Sequence, residues 1–265
     1  MNQSSSPIIV HPLPFFKVLG VRVDAVQIPD VICQMEQWIN EKSFGHFIAV
    51  TNTHVVTEAR REPSFKQVLG SADLVVPDGM PLVWLGRLSG YSLKRRVYGP
   101  ELMETFLKET GPKYRHFLYG GAPGVPERLF GIFSKRFQGI RFVGVHSPPF
   151  RPLTPKEDEE VVELINKAEP DVLWVGLGAP KQERWIYEHK ERLRVPIMVG
   201  VGAAFDFLAG VKSQAPHWMK EHGLEWLWRL MSEPRRLWRR YLIYGSLFIS
   251  LVILEKMRIL RVDWK

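Results

Sequence analysis

Residues 72–84 read ADLVVPDGMPLVW, and they place a carboxylate where a chain of this kind does chemistry. The apolar run 74–76 reads as a buried strand that breaks at Pro77 into Asp78-Gly79, with a helix-like segment after it. Ligands of open α/β sheets bind outside the carboxyl ends of the strands. An acid there can move a proton, and the glycine beside it lets a ligand approach the backbone. Asp is also a favoured helix N-cap, so these residues alone leave Asp78 as either a cap or a reactive group. Other predicted strand ends carry Thr51, Thr53, Gly120, Gly121, Gly178, Gln182, Gly202 and Asp206. The glycine-rich turns GGAPG (120–124), GLGAPK (176–181) and GVGAAF (200–205) each run into a helix, where free backbone N–H groups suit phosphate. None completes G-x-G-x-x-G, so each alone reads as an ordinary tight turn, and it is the three in one domain that point to a nucleotide.

The elements that would position these groups alternate along the chain. Short apolar strands are expected near 15–23, 47–50, 74–76, 117–119, 141–145, 172–175 and 196–201. Helical periodicity fills the gaps: Val31, Ile32, Met35, Trp38 and Ile39 recur at the helical spacing after Pro29. Thr154-Pro155-Lys156-Glu157 is a capping box, which makes the acidic run behind it a solvated first turn. Nearly all-apolar strands alternating with helices predict a Rossmann-like α/β fold, a mostly parallel sheet with helices on both faces. The expected organisation is a loose tail at 1–14, a catalytic domain at 15–222 and a basic helical appendage at 223–265.

Composition sets outer limits. The chain has 265 residues and 45% hydrophobic content, enough for one large core. The lone Cys33 excludes an internal disulfide and, among Val31, Ile32 and Met35, reads as a small core residue. The opening segment lacks the layout of a secretory signal. Eight histidines show no paired ligand spacing, and neither H-E-x-x-H nor G-x-S-x-G occurs, so no metal, cofactor or hydrolase nucleophile is expected. The net charge of +8 is concentrated late, in Arg229, Arg235, Arg236, Arg239, Arg240, Lys256, Arg258, Arg261 and Lys265. Such asymmetry suggests an anionic partner.

Five strings carry a resemblance: VPDGMPLVW (76–84), RVYGPEL (96–102), VGLGAPKQERW (175–185), GVGAAFDFLAG (200–210) and GLEWLWRLMSEPRRLWRRYL (223–242). In this order they resemble the WecG/TagA/CpsF glycosyltransferases, glycosyltransferase family 26. The resemblance implies an inverting enzyme that moves an N-acetylmannosamine-type sugar from UDP to a polyprenyl-diphosphate-linked acceptor in surface-polymer synthesis. It implies Asp78 as the catalytic base, and Arg96 falls on the family's arginine ahead of Gly99. Thr51, Gly79, Gln182 and Asp206 fall on its substrate-contacting positions, and Thr53 stands where the family often has Asn. The chemistry agrees, since one carboxylate must take the proton of the attacking hydroxyl and a cation must meet the charge on leaving UDP.

At 100° per residue Arg235, Arg236, Arg239 and Arg240 share one helical face, opposite Leu237, Trp238, Tyr241 and Leu242. The aromatics suit a membrane interface, so the segment is expected to bind an anionic bilayer from the cytoplasmic side as a peripheral anchor. The uncharged run 241–254 is too short to span. A homo-oligomer is compatible with the sequence. Two rival readings stand beside this one: an NAD(P)-linked oxidoreductase on the same fold, and a basic nucleic-acid-binding module, although no nucleic-acid partner is expected for the glycosyltransferase.

Overall fold

The computed structural model describes residues 13–257 and 259. Residues 1–12 of the expected tail, and the basic Arg258, Arg261 and Lys265, lie outside the described residues. The chain enters as a hairpin, β1 (Phe15–Val18) and β2 (Val21–Asp24), where one strand over 15–23 was expected. Leu19 and Gly20 take φ of 52° and 79°, the left-handed pair that a tight two-residue reversal requires. The hairpin docks beside the sheet edge, where the buried Asp24 carboxylate accepts the Val75 amide at 2.7 Å.

Six strands form the main sheet: β3 (His46–Thr51), β4 (Leu74–Pro77), β5 (Arg115–Gly120), β6 (Arg141–His146), β7 (Val172–Gly176) and β8 (Ile197–Gly200). Their order is β4-β3-β8-β7-β5-β6, and every neighbouring pair is parallel. Because both faces are covered, the strands can be apolar throughout rather than alternating. One face carries α2 (Thr53–Arg61), α3 (Pro63–Gly70), α7 (Pro155–Ala168) and α8 (Lys181–His189), packed through Val56, Phe65, Val161 and Ile186. The other carries α1 (Ile28–Asn40), α5 (Gly99–Thr110), α6 (Val125–Arg136) and α9 (Ala204–Leu208), packed through Met35, Phe106, Leu129 and Phe205. This is the expected Rossmann-like arrangement. Thr154 and Glu157 close their capping box at the start of α7. Cys33 departs from expectation: Val31, Ile32 and Met35 take the inner arc of α1, and Cys33 falls on the solvent arc.

Neighbouring strands β3 and β8 feed α2 and α9 on opposite faces, so their carboxyl ends diverge into a crevice. Over it come α4 (Met80–Leu88), α10 (His217–Glu221), α11 (Glu225–Ser232) and α12 (Pro234–Lys256). Helix α12 runs unbroken for 23 residues, long and apolar enough by length and composition to cross a bilayer. Counting only the uncharged run understated it, because the helix extends back through the arginines. In this structure α12 lies along the domain instead. Phe248 joins the core beneath α2, Tyr244 meets His54 edge-on, and Glu255 accepts the Leu19 amide at 3.1 Å.

At Gly120 the sheet leaves no room for a side chain. Its φ is +114°, and a Cβ would stand 2.7 Å from the Gly176 backbone on the paired strand. Gly120→Ala should therefore lower unfolding free energy by at least ~2 kcal/mol in urea titration. Gly131→Ala, in open space on helix α6, should be neutral or stabilising.

Candidate active site

Asp78 follows β4 at the floor of a cavity of about 760 Å³. The walls come from three sources: the start of α2 (Asn52, Thr53, His54), α4 (Met80, Trp84, Leu85, Leu88), and the appendage (Glu225, Trp226, Arg229, Arg240, Tyr241, Leu242, Ile249, Val252, Ile253). The helix-cap reading of Asp78 does not hold, because α4 is capped by Gly79 with no side-chain cap bond. Asp78 Oδ1 is instead sealed from water with no hydrogen-bond partner. Burial pushes its pKa up to about 6, Arg96 and Arg229 pull it down, and Glu225 raises it further. A carboxylate with that proton affinity is suited to general base work near neutrality.

Arg96 lies beside it on the segment between α4 and α5. Its Nη2 donates to Glu225 Oε2 and its Nη1 reaches the Asp78 carbonyl at 3.4 Å. Its guanidinium carbon stands 4.2 Å from the centre of the Tyr98 ring. Burial opposes the charge on Arg96, yet Glu225 and Asp78 together raise its pKa. Two further cations line the cavity from the appendage, Arg229 and Arg240. Arg229 packs its guanidinium 5.3 Å from the Phe207 ring, and neither residue has an ion-pair partner among the described residues. Burial, and then the charge of Arg240, drives His54 down to about 4, so it faces the cavity as a neutral ring.

The inward course of Arg240 corrects the expectation of four arginines on one outer face. Arg235 and Arg239 are exposed, and Arg236 is exposed and paired with Glu233 at 2.6 Å. Arg240 sits 140° around from Arg235, at the edge of that arc, and residues Arg239–Ile243 form a wide π turn. Arg240 turns inward from its place at the edge of the arc, and the extra residue in the turn offsets the stretch beyond Ile243 by about 100°.

The other expected site residues divide into two groups. Thr53 and Gly79 line the cavity with Asp78. Asn52 accepts the His54 and Val55 amides, capping α2, and so turns Thr53 to its first position. Thr51 is wholly buried under this corner and donates to the Ala49 carbonyl at 3.2 Å. Gly120, Gly121, Gly178, Gln182, Gly202 and Asp206 do not line the cavity. Gln182 is buried between two of the glycine turns, its Oε1 accepting from Gly178 at 3.2 Å and Gly202 at 2.8 Å. Its Nε2 donates to Glu183, whose carboxyl is driven up to about 7 by burial. Asp206 is engaged by Lys212 at 2.8 Å, which also approaches Glu233 of the appendage at 3.7 Å. Sequence reasoning missed Glu225, Tyr98, Arg229 and His54 as site residues. The one signal for two of them was spacing, since Glu225 and Arg229 are four apart on one helix. Among the described residues no cluster of three or more His, Cys, Asp or Glu side chains could hold a metal ion.

Comparison with known proteins finds similarity along most of the chain. The sequence model described as "Glycosyl transferase WecG/TagA/CpsF family" matches residues 16–261. A Bacillus spizizenii protein named N-acetylglucosaminyldiphosphoundecaprenol N-acetyl-beta-D-mannosaminyltransferase is 32% identical over 217 residues, 82% of each chain. A Staphylococcus aureus protein of the same name is 29% identical over 224 residues, 84% of this chain and 86% of its own.

The burial of Asp78 has a thermodynamic signature. Its folded pKa of about 6 lies above the ordinary 3.8, so the folded protein holds the proton more tightly than the unfolded chain. That stabilisation is complete below the ordinary value and lost as pH rises through about 6. Asp78→Asn removes the charge, and should stabilise the protein at pH 8 by on the order of 2 kcal/mol. The gain over wild type, measured by urea unfolding across pH, should shrink toward zero on descending below the ordinary carboxylate range.

Proposed function

The chain belongs to the WecG/TagA/CpsF glycosyltransferase family, and on that premise we propose that it transfers an N-acetylmannosamine-type residue from UDP to a polyprenyl-diphosphate-linked N-acetylglucosamine. The observation that carries this reading is the cavity's division into a charged floor and apolar walls. At the floor, Asp78 stands with Arg96, Arg229 and Arg240. Outward, Trp84, Leu85, Leu88, Leu242, Ile249 and Ile253 form a groove whose rim is open, with Leu88 76% exposed. A lipid diphosphate has the same layout, a compact dianion on a long apolar chain. The rival readings find no support in the comparisons: the relatives are named as sugar transferases, not as oxidoreductases or nucleic-acid-binding proteins.

The transfer follows from these positions. The acceptor hydroxyl attacks the anomeric carbon as the bond from that carbon to the β-phosphate oxygen of UDP breaks. Asp78 takes the hydroxyl proton, and closure of the cavity by the appendage keeps water from competing for the sugar. Negative charge gathers on the leaving diphosphate, where Arg96, Arg229 and Arg240 supply positive charge, the last two without a carboxylate partner among the described residues. The Gly178 and Gly202 turns border the same sheet edge, and Gln182 braces them by taking both glycine amides on its Oε1.

The enzyme works where its lipid-linked substrate resides, and we assign it to the cytoplasmic face of the membrane as a peripheral protein. Helix α12 is packed along the domain through Phe248 and tied at its end by Glu255, which supports a seating flat on the surface rather than a span. Its outer residues Trp238, Leu242, Ile249 and Ile253 are exposed and fit shallow insertion beside Arg235 and Arg239.

The test is transfer to a prenyl-diphosphate N-acetylglucosamine acceptor from a panel of UDP-sugars, with UDP-N-acetylmannosamine expected to be used best. Asp78→Asn should lower kcat by about 10²- to 10⁴-fold while still binding UDP. Near-native turnover would remove Asp78 as the base. The arginines should separate by role. Arg240→Gln should weaken UDP binding without altering vesicle binding. Arg235→Gln with Arg239→Gln should cut the salt-sensitive part of cosedimentation with phosphatidylglycerol vesicles and leave turnover on a short-chain, water-soluble acceptor intact.

A further inference from the structure

One carboxylate in the cavity has no step in the transfer. Glu225, 7% exposed at the first position of α11, accepts from Arg96 and also from the Tyr98 hydroxyl at 3.3 Å. Arg96 is thereby fixed on three sides, by Glu225, by the Tyr98 ring and by the Asp78 main-chain oxygen. The hydrogen bonds of its guanidinium go to those two oxygens and not to the Asp78 carboxylate, whose Oδ1 stays unpartnered.

That arrangement is unexpected for an arginine and an aspartate sharing one water-poor cavity. Their attraction grows as the dielectric falls, and a forked pair along both carboxylate oxygens is the favoured geometry. Such a pair would occupy the lone pairs with which Asp78 must take a proton. It would also turn the guanidinium away from the donor. Glu225 supplies the competing acceptor. Resting on the reading of Asp78 as the base, we infer that Glu225 is a positioning residue for the transfer, holding the Arg96 guanidinium off the Asp78 carboxylate and open to the diphosphate.

The surroundings make Glu225 hard to replace. The charged and titratable groups that face Asp78 are Arg96 and Tyr98 ahead of α5, Glu225 and Arg229 on α11, and Arg240 on α12. Neutral His54 on α2 lines the same cavity. Glu225 is the one anion in that set, so removing its charge leaves Asp78 among cations. The backbone holds it in place. At Gly223, two residues earlier, φ is +72° and a Cβ would come within 3.1 Å of Met80, so the appendage enters α11 pressed against α4.

Glu225→Gln preserves size and an acceptor for Tyr98 while deleting the charge. Arg96 then collapses onto Asp78, so kcat should fall by about tenfold or more while the donor KM changes far less. The acid limb of the kcat–pH profile should move to lower pH, and Glu225→Asp should recover part of the rate. Because Glu225 acts through Arg96, adding Glu225→Gln to Arg96→Ala should bring no further loss. Wild-type kcat in Glu225→Gln would overturn the inference. So would an unmoved acid limb with only a lowered Tm, or an equal loss in both Arg96 backgrounds. Asp78→Asn assayed alongside keeps the two readings apart. Full activity there would sink the assignment of the base, whereas an inactive Asp78→Asn with an unaffected Glu225→Gln would sink only the role of Glu225.

Discussion

Everything at the catalytic end answers to one cost, the withdrawal of the Asp78 carboxylate from water without a hydrogen bond to its Oδ1. A carboxylate with one oxygen buried and unpartnered is expensive, and proteins normally meet that cost by proton uptake or by a close partner. Here the neighbouring arginines moderate the cost without cancelling it. Two carboxylates face three guanidinium groups, and the strongest contact among them, Arg96 with Glu225, bypasses Asp78. The apolar strands and the two helical layers supply the stability that such a site consumes. The sheet also sets the geometry, because Asp78 stands where β4 ends beside β3 and its backbone N–H is held by the Thr51 carbonyl at 2.8 Å.

The appendage is where protein and membrane requirements meet. It closes the cavity with Trp226 and Tyr241, lends the site its charged groups Glu225, Arg229 and Arg240, and shows its outer surface to the surroundings. Docking ties it at separate points: Gly223 against Met80, Tyr244 against His54 with its hydroxyl bonded to Arg61 at 2.8 Å, and Glu255 on the hairpin. No single one of these contacts is large. Together they make the residues around the carboxylate depend on the seating of a segment distant in sequence.

The sheet was legible because its signal is local: short apolar runs mark β3, which ends at Thr51, and β4, β5, β7 and β8, which end in glycine or proline. Asp78 was legible as a strand-end acid, and Arg96 only through the resemblance. The hairpin was not, since residues 15–24 are apolar on both sides of a reversal that hangs on the backbone angles of Leu19 and Gly20. Cys33 failed because 100° per residue carries it about 200° from both Val31 and Met35, onto the opposite arc. Glu225 and Arg240 stayed hidden for a different reason. Their roles depend on how the appendage folds back across α4 and α2, a contact between segments more than 120 residues apart for Glu225 and Arg96. Gln182 was visible as a polar residue at a strand end, but its bonds to two glycine amides arise only once β7 and β8 lie side by side.

The wide turn at Arg239–Ile243 gives α12 two rotational settings along one axis. Ahead of it the helix buries Leu237 and shows Arg235 to the outside; beyond it the helix meets the core through Phe248 and the cavity through Ile249 and Ile253. The two stretches are thus keyed to different neighbours and can be tuned separately only while the number of residues between them stays fixed. A substitution on either stretch alters one partner, whereas a one-residue deletion in the turn would swing the far half by about 100°. The apolar stripe would then face the wrong way with every side chain still present. For this segment length is a stricter constraint than composition, so its tolerance of change should be read from gaps rather than from mismatches.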